Sequence, residues 1–238
     1  MQSTVNQSAS AQAASANTIS TWLKDQAQDL EMGDYHLPFW QSLIAKVKET
    51  DLSNKTVLDF GCGVGGFLRH LYSERPFKQG IGLDIAADSV AIANQKKGPL
   101  PIQYLLNNSD LKLPGTVDVA FSYEVIYLLK DLAAHAEFMK SLLKPGGAYY
   151  AATGCHTQNP QWHVWRDLIE SKSSLTPCDY SLEQISDTFR NAGFSCSAQR
   201  LEHNGFVPIG VYPDYFPTVM DTINYYWNDV VILRFQAP

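Results

Sequence analysis

The chain has 238 residues, of which 45% are hydrophobic, and its 18 basic and 24 acidic side chains give a net charge of −6. That length suits one domain with a sizeable core and a small cap. The charge balance, with Lys96-Lys97 as the only adjacent basic pair, disfavours electrostatic binding to nucleic acid. No apolar run approaches the ~20 residues that span a bilayer, so no membrane association is expected.

Residues 1–17 are nearly all Ser, Ala, Gln and Asn. They cannot bury enough apolar surface to offset chain entropy, so a flexible tail is expected, with a single domain over 18–238. A helix is predicted from near Ser20, placing Trp22, Leu23, Ala27 and Leu30 on one face and breaking at Met32-Gly33-Asp34. Pro38 suits the start of a second helix, with Leu43, Ile44 and Val47 facing inward.

A regular alternation follows. Strands are predicted at 56–60, 80–84, 102–106, 117–122 and 148–153, with helices at 65–74, 87–96 and 131–143. Lys144-Pro145-Gly146-Gly147 makes the turn into the fifth strand. Alternating strands and helices imply a parallel sheet covered on both faces. Residues 154–180 and 206–227 read as irregular aromatic segments; with 18–50 they form the cap. Between them lie a helix at 181–192, ending at Gly193, and a strand at 194–202. A last strand at 230–235 suits an antiparallel closing pair.

The most informative stretch is Val57-Leu58-Asp59-Phe60-Gly61-Cys62-Gly63-Val64-Gly65-Gly66, a buried strand running into a glycine-rich turn before a helix. Such a turn lets a ligand lie against the backbone. Gly61, Gly63 and Gly66 match the dinucleotide pattern G-x-G-x-x-G. Asp84, ending the second strand, suits a ribose diol in either a nicotinamide or an S-adenosylmethionine site. Asp59 separates the two: a carboxylate at the mouth of the turn repels a pyrophosphate and suits a ligand carrying ammonium and sulfonium charges.

Val57 to Gly65, with its Asp-x-Gly-x-Gly-x-Gly core, resembles the first motif of class I S-adenosylmethionine-dependent methyltransferases. Gly82-Leu83-Asp84-Ile85 resembles their second-strand motif and Val117 to Ser122 their fourth strand. Leu142 to Gly147 resembles the turn before their fifth. The resemblance covers about residues 33 to 200. It implies a three-layer αβα sandwich: a Rossmann-like, seven-stranded, mostly parallel sheet with one antiparallel strand, plus the small aromatic-rich cap.

The resemblance also implies roles. Asp59 would meet the methionine amino group, and Gly61 and Gly63 would pack under the methionine and ribose. Asp84 would hold the ribose hydroxyls and Ile85 would cover one adenine face. Where the family often has an acidic residue for adenine N6, this chain has Asn107-Asn108-Ser109-Asp110. Asn108 and Ser109 are the cofactor candidates there, and Asp110 competes. Tyr123 falls among the methionine contacts, Tyr35 where an aromatic closes over the cofactor, and Tyr127 on the acceptor side.

Blander readings stand beside these. Cys62 lies in the cofactor turn as a small core residue, not a nucleophile. Asp84 can cap a helix, Asp59 can accept from loop amides, and Asn108 can be a turn residue. Trp162 and Tyr212 either line an acceptor pocket or build the cap's own core. Arg166 either meets an acceptor carboxylate or forms a surface ion pair. His156, after the fifth strand, is the best histidine for a base. Attack on a sulfonium methyl is an in-line displacement, so alignment and water exclusion can supply most of the acceleration. His156, Tyr123 and Tyr127 are the candidates if the acceptor must lose a proton.

The expected function is methyl transfer from S-adenosylmethionine to a small molecule in the cytoplasm, releasing S-adenosylhomocysteine. A cytoplasmic protein accords with Cys62, Cys155, Cys178 and Cys196, whose spacing suggests neither metal site nor disulfide framework. The alternatives are an NAD-dependent oxidoreductase, a non-catalytic S-adenosylmethionine-binding protein, and a protein or RNA methyltransferase.

Overall fold

The structure, a computed structural model, describes residues 19–24, 26–108, 111, 113 and 116–238, with backbone alone for 26–34. The expected tail at 1–17 lies outside the described residues. Seven strands form one sheet: β1 (Thr56–Phe60), β2 (Gln79–Asp84), β3 (Ile102–Leu106), β4 (Val117–Tyr123), β5 (Leu143–Thr153), β6 (Ser195–Arg200) and β7 (Val231–Gln236). Their order is β3-β2-β1-β4-β5-β7-β6. β7 runs antiparallel to both β5 and β6; the other pairings are parallel.

The chain order reverses between β1 and β4, so the crevice beyond their carboxyl ends is the topological switch point, where open α/β sheets bind ligands. Lys144 to Gly147 is part of β5 rather than a separate turn. The register instead jumps there, from Val117 opposite Leu143 to Val119 opposite Ala148.

Among the described residues, seven α-helices accompany the sheet: α1 (Gln26–Lys46), α2 (Gly66–Glu74), α3 (Ala87–Lys96), α4 (Leu132–Leu142), α5 (Trp162–Lys172), α6 (Leu182–Asn191) and α7 (Val219–Asn224). Val119, Phe121 and Tyr150 face the core shared with α1 and α2, whereas Ala120, Tyr149 and Ala151 face α4 and α6. This is the period-two alternation of a sheet covered on both sides. The aromatic segments are more regular than expected. α5 lies within 154–180 and α7 within 206–227, and a π-helical turn at 225–229 continues α7 past that segment.

The N-terminal expectation is corrected. α1 is one 21-residue helix that runs through Gly33 and Pro38. A glycine and an interior proline together cost about 4 kcal/mol of helix propensity. Phe39, Trp40, Leu43 and Ile44 are all buried on this helix. At ~1.5–3 kcal/mol for each large apolar side chain, that burial outweighs the cost.

Residues 19–24 are not helical. Ile19 bridges to Ala86 and Leu23 to Ser173. The N–H groups of Ala87 and Asp88, opening α3, donate to the carbonyls of Ile19 and Ser20. Backbone bonds Ser174 to Trp22 and Lys24 to Lys172 fasten the other end. The segment thus straps the amino end of α3 to the carboxyl end of α5.

Phe189 of α6 is fully buried and stacks on Phe235 of β7 at 3.8 Å between ring centroids. Phe189→Ala is expected to cost about 3–5 kcal/mol of stability in denaturant titration. A loss under about 1 kcal/mol would contradict this packing.

Candidate active site

The glycine turn is fixed from beneath. The N–H groups of Gly61 and Cys62 both donate to Leu83 O, at 2.7 and 3.0 Å, tying the turn to β2. Arg69 donates to Val64 O at 2.8 Å and the Tyr104 hydroxyl to Gly65 O at 2.7 Å. Gly65 has φ +75°, and a Cβ there would lie 2.4 Å from the Tyr104 ring. Gly63 has φ +49°, and a Cβ there would meet nothing within 4 Å. The turn is therefore packed hard at Gly65 and faces open space at Gly63.

Asp84 holds the same turn from the end of β2. Its Oδ2 accepts from the Gly63 N–H at 2.7 Å and its Oδ1 from the Ala86 N–H at 2.8 Å. Ile85 follows, half-buried, its carbonyl accepting from the Ile19 N–H. Asn108 is half-buried beyond β3, and its carbonyl accepts from the Leu111 N–H. Ser109 and Asp110 lie outside the described residues.

Asp59 is 4% exposed, and among the described residues no hydrogen bond reaches its carboxylate. Burial, and then the neighbouring Asp84, push its pKa up to about 8. A buried carboxyl without a donor is costly, and a cationic ligand would relieve it. Cys62 is buried beside it, and burial raises its thiol well above the usual range. It is a small core residue rather than a nucleophile.

The structure brings together three of the acceptor candidates, Tyr127, Trp162 and Arg166, through a ring contact and the shared Asp179. Tyr123 is half-buried at the end of β4, its ring 4.9 Å from His36, and its hydroxyl is enclosed without a partner among the described residues. Burial lowers the His36 pKa to about 4, so that ring is neutral. Tyr35 meets Tyr212 edge-on at 4.1 Å, which brings α1 against the 206–216 segment. Tyr127 is buried 5.6 Å from Trp162, whose indole N–H donates to Asp179 at 2.7 Å.

Trp162 is therefore part of the cap's packed interior, with Trp165, Phe216, Tyr225 and Tyr226. Trp227 is only partly buried, and Phe216 turns inward. Arg166 forms surface ion pairs with Asp167 and Asp179, each at 3.0 Å, rather than meeting an acceptor. His156 is buried, and its Nε2 lies 2.8 Å from Asp229 O. A carbonyl only accepts, so Nε2 carries the proton and Nδ1 is the bare nitrogen.

The residues that sequence reasoning missed are Tyr104, which supports the turn, and Glu124. Glu124 has φ +54°, a left-handed conformation that is rare outside glycine and worth a functional look. No group of three or more metal-ligating side chains occurs among the described residues.

Residues 32–199 match the model of a family described as a methyltransferase domain. The chain belongs to the class I S-adenosylmethionine-dependent methyltransferases. Its cofactor is S-adenosylmethionine, and the NAD-dependent alternative is overturned.

An uncharacterised methyltransferase of Schizosaccharomyces pombe is 33% identical over 161 residues, 60% of this chain and 54% of that protein. A ubiquinone biosynthesis O-methyltransferase of Paraburkholderia xenovorans is 31% identical over 105 residues, 43% of this chain and 45% of that one. This methyltransferase thus spans about half the length of the curated relatives it matches.

Among solved structures, a Haloferax volcanii methyltransferase in complex with the Trm112 activator aligns with a TM-score of 0.76 at 24% identity, covering 89% of this chain and 94% of that one. Phosphoethanolamine N-methyltransferase 2 of Haemonchus contortus, bound to S-adenosylmethionine, aligns with a TM-score of 0.66 at 18% identity, covering 90% and 58%. These likenesses are of fold.

What this methyltransferase presents at the turn is open space over Gly63 and, beside it, the buried carboxyl of Asp59. Two glycine substitutions separate support from ligand contact. Gly65→Ala, forced against Tyr104, is expected to destabilise the protein by about 2–4 kcal/mol. Gly63→Ala should cost only ~1–2 kcal/mol, the left-handed strain. It should nonetheless weaken S-adenosylhomocysteine binding at least tenfold by calorimetry. Unchanged affinity in Gly63→Ala would remove the ligand from that face of the turn.

Proposed function

We propose that this methyltransferase acts on a small, ring-bearing acceptor without negative charge, held under the cap beyond the carboxyl ends of β4 and β5. The observation that carries this reading is the chemistry of the surroundings. The rings of Tyr35, His36, Phe39, Tyr123 and Tyr226 form a continuous aromatic wall. The nearby cations are engaged elsewhere. Arg166 pairs with Asp167 and Asp179, Lys46 with Glu202, and Lys172 lies over the Tyr215 ring.

An acceptor phosphate or carboxylate would find no free cation among these groups, and an RNA strand no basic track. The name of the ubiquinone biosynthesis relative, an O-methyltransferase, accords with transfer to an oxygen.

The cofactor supplies an electrophilic sulfonium methyl. The protein binds and orients. Asp59 holds the ammonium end, Asp84 and Asn108 the ribose and adenine end, and Ile85 and Tyr35 cover it. Ser109 is a further candidate at the adenine end. The Tyr123 hydroxyl, enclosed without a partner, is the group best suited to contact an acceptor oxygen. The cap excludes water, which protects the sulfonium from hydrolysis and strengthens every polar contact within. His156, committed to Asp229 O and with its pKa lowered by burial, is less suited as the base. Its four free cysteines accord with a reducing compartment, and we place the protein in the cytoplasm.

The test is methyl transfer to matched acceptors: a phenol, a benzoate, a phosphoester and a short RNA. S-adenosylhomocysteine release is the readout. Turnover is expected with the phenol, and Tyr123→Phe should lower it about tenfold or more. Turnover with the benzoate, the phosphoester or the RNA alone would sink this reading.

A further inference from the structure

Glu124 stands where β4 ends, between Tyr123 and Val125. Val125 packs on the cofactor turn: a Cβ on Gly61 would lie 2.4 Å from its Cγ2. The strained φ of +54° at Glu124 is held by an unusually complete set of bonds. Its N–H donates to Ala152 O at 2.9 Å. Its Oε1 accepts from the Gly154 N–H at 2.7 Å and the Tyr225 hydroxyl at 3.2 Å, and its Oε2 from the Thr153 hydroxyl at 2.9 Å. The carboxylate is thus clamped to the end of β5 and to the π-helical turn.

Three donors favour the ionised form, since a carboxylate accepts and does not give. Yet no cation pairs with it among the described residues. The groups around it are phenols and a thiol: Tyr123, Tyr127, Tyr225 and Cys155. The side chain is half-buried rather than sealed, so it borders accessible space. A fixed anion in aromatic surroundings, open on one side, is built to meet a positive charge.

The cofactor carries two cationic centres, and Asp59 at the end of β1 suits the ammonium. Asp59 pairs in register with Phe121, so Glu124 stands three residues further out on the neighbouring strand. We propose that Glu124 faces the sulfonium end of the cofactor and distinguishes the cationic methyl donor from its neutral demethylated product. The device matters for turnover. Donor and product differ only in the transferred methyl and the sulfonium charge that comes with it, so a group that senses this charge favours entry of one and release of the other. Burial raises the Glu124 pKa, so the preference would be pH-dependent.

The experiment is calorimetric binding of S-adenosylmethionine and S-adenosylhomocysteine, without acceptor, to the wild type and to Glu124→Gln. Both ligands carry the ammonium, so the Asp59 contribution cancels in the ratio of their affinities. Glu124→Gln is expected to weaken S-adenosylmethionine at least tenfold and S-adenosylhomocysteine by less than twofold. In the wild type, the preference for S-adenosylmethionine should grow as pH rises through the ionisation of Glu124, which burial moves above the usual carboxylate range.

Burial pushes the facing phenols and thiol well above their usual values, and it lowers His36, against Tyr123, to about 4. The wild-type titration decides the matter if the variant fails to fold. Equal loss for both ligands, or a pH-independent wild-type ratio, overturns the proposal.

Discussion

Asp59 brings a carboxyl group into the centre of the sheet, beside a second carboxyl at Asp84, with no donor to receive it among the described residues. The two groups differ in how they are satisfied. Asp84 takes two backbone N–H groups and knits the glycine turn to the start of α3. Asp59 takes none, and its pKa is pushed up to about 8.

The thermodynamic sign follows from linkage. The folded protein keeps a proton that the unfolded chain releases above about pH 4. Asp59 therefore lowers stability progressively as pH rises from about 4 to 8, on the order of 4 kcal/mol by neutral pH. A residue so unfavourable to the empty fold makes physical sense at a site that a cation completes.

The surroundings of Asp59 are correspondingly rigid. Leu83 O, Arg69 and Tyr104 hold the turn from below, and Val125 closes on Gly61 from the side. The strap at 19–24 satisfies the first N–H groups of α3 and joins them to α5, so the start of α3 and the cap are mechanically linked. Glu124 performs the matching task at the far end, binding β4, β5 and the 225–229 turn through one side chain. Open space is left over Gly63, between these two fixed ends. Phe206, Ile209 and Val211 lie exposed on the segment that meets Tyr35 through Tyr212.

Much of this was legible in the sequence, for local reasons. The five strands from β1 to β5 are short apolar runs set off by glycine or proline, and their period survives any tertiary context. Asp59 and the glycine spacing named the cofactor class because a charge at the mouth of a turn has one sign. The departures come from distance. Gly33 and Pro38 look like breaks until the burial of Phe39, Trp40, Leu43 and Ile44 is weighed against them. For Arg166 the sequence offered a surface ion pair beside an acceptor role, and the pair is what forms, though Asp179, 13 residues away, gives no local signal of being the partner. Tyr104 supports a turn 39 residues earlier in the chain, and no short motif encodes that. Glu124 carried no signal in the sequence, because its left-handed backbone goes with bonds to Thr153, Gly154 and Tyr225 that only the fold brings together.

The central claim is that the proton on Asp59 gives way to the cofactor's ammonium group. Calorimetry of S-adenosylhomocysteine binding at pH 7, in two buffers of different ionisation enthalpy, counts the protons exchanged. Release of close to one proton is expected, falling to near zero in Asp59→Asn. No release from the wild type, or equal release from Asp59→Asn, would contradict the claim.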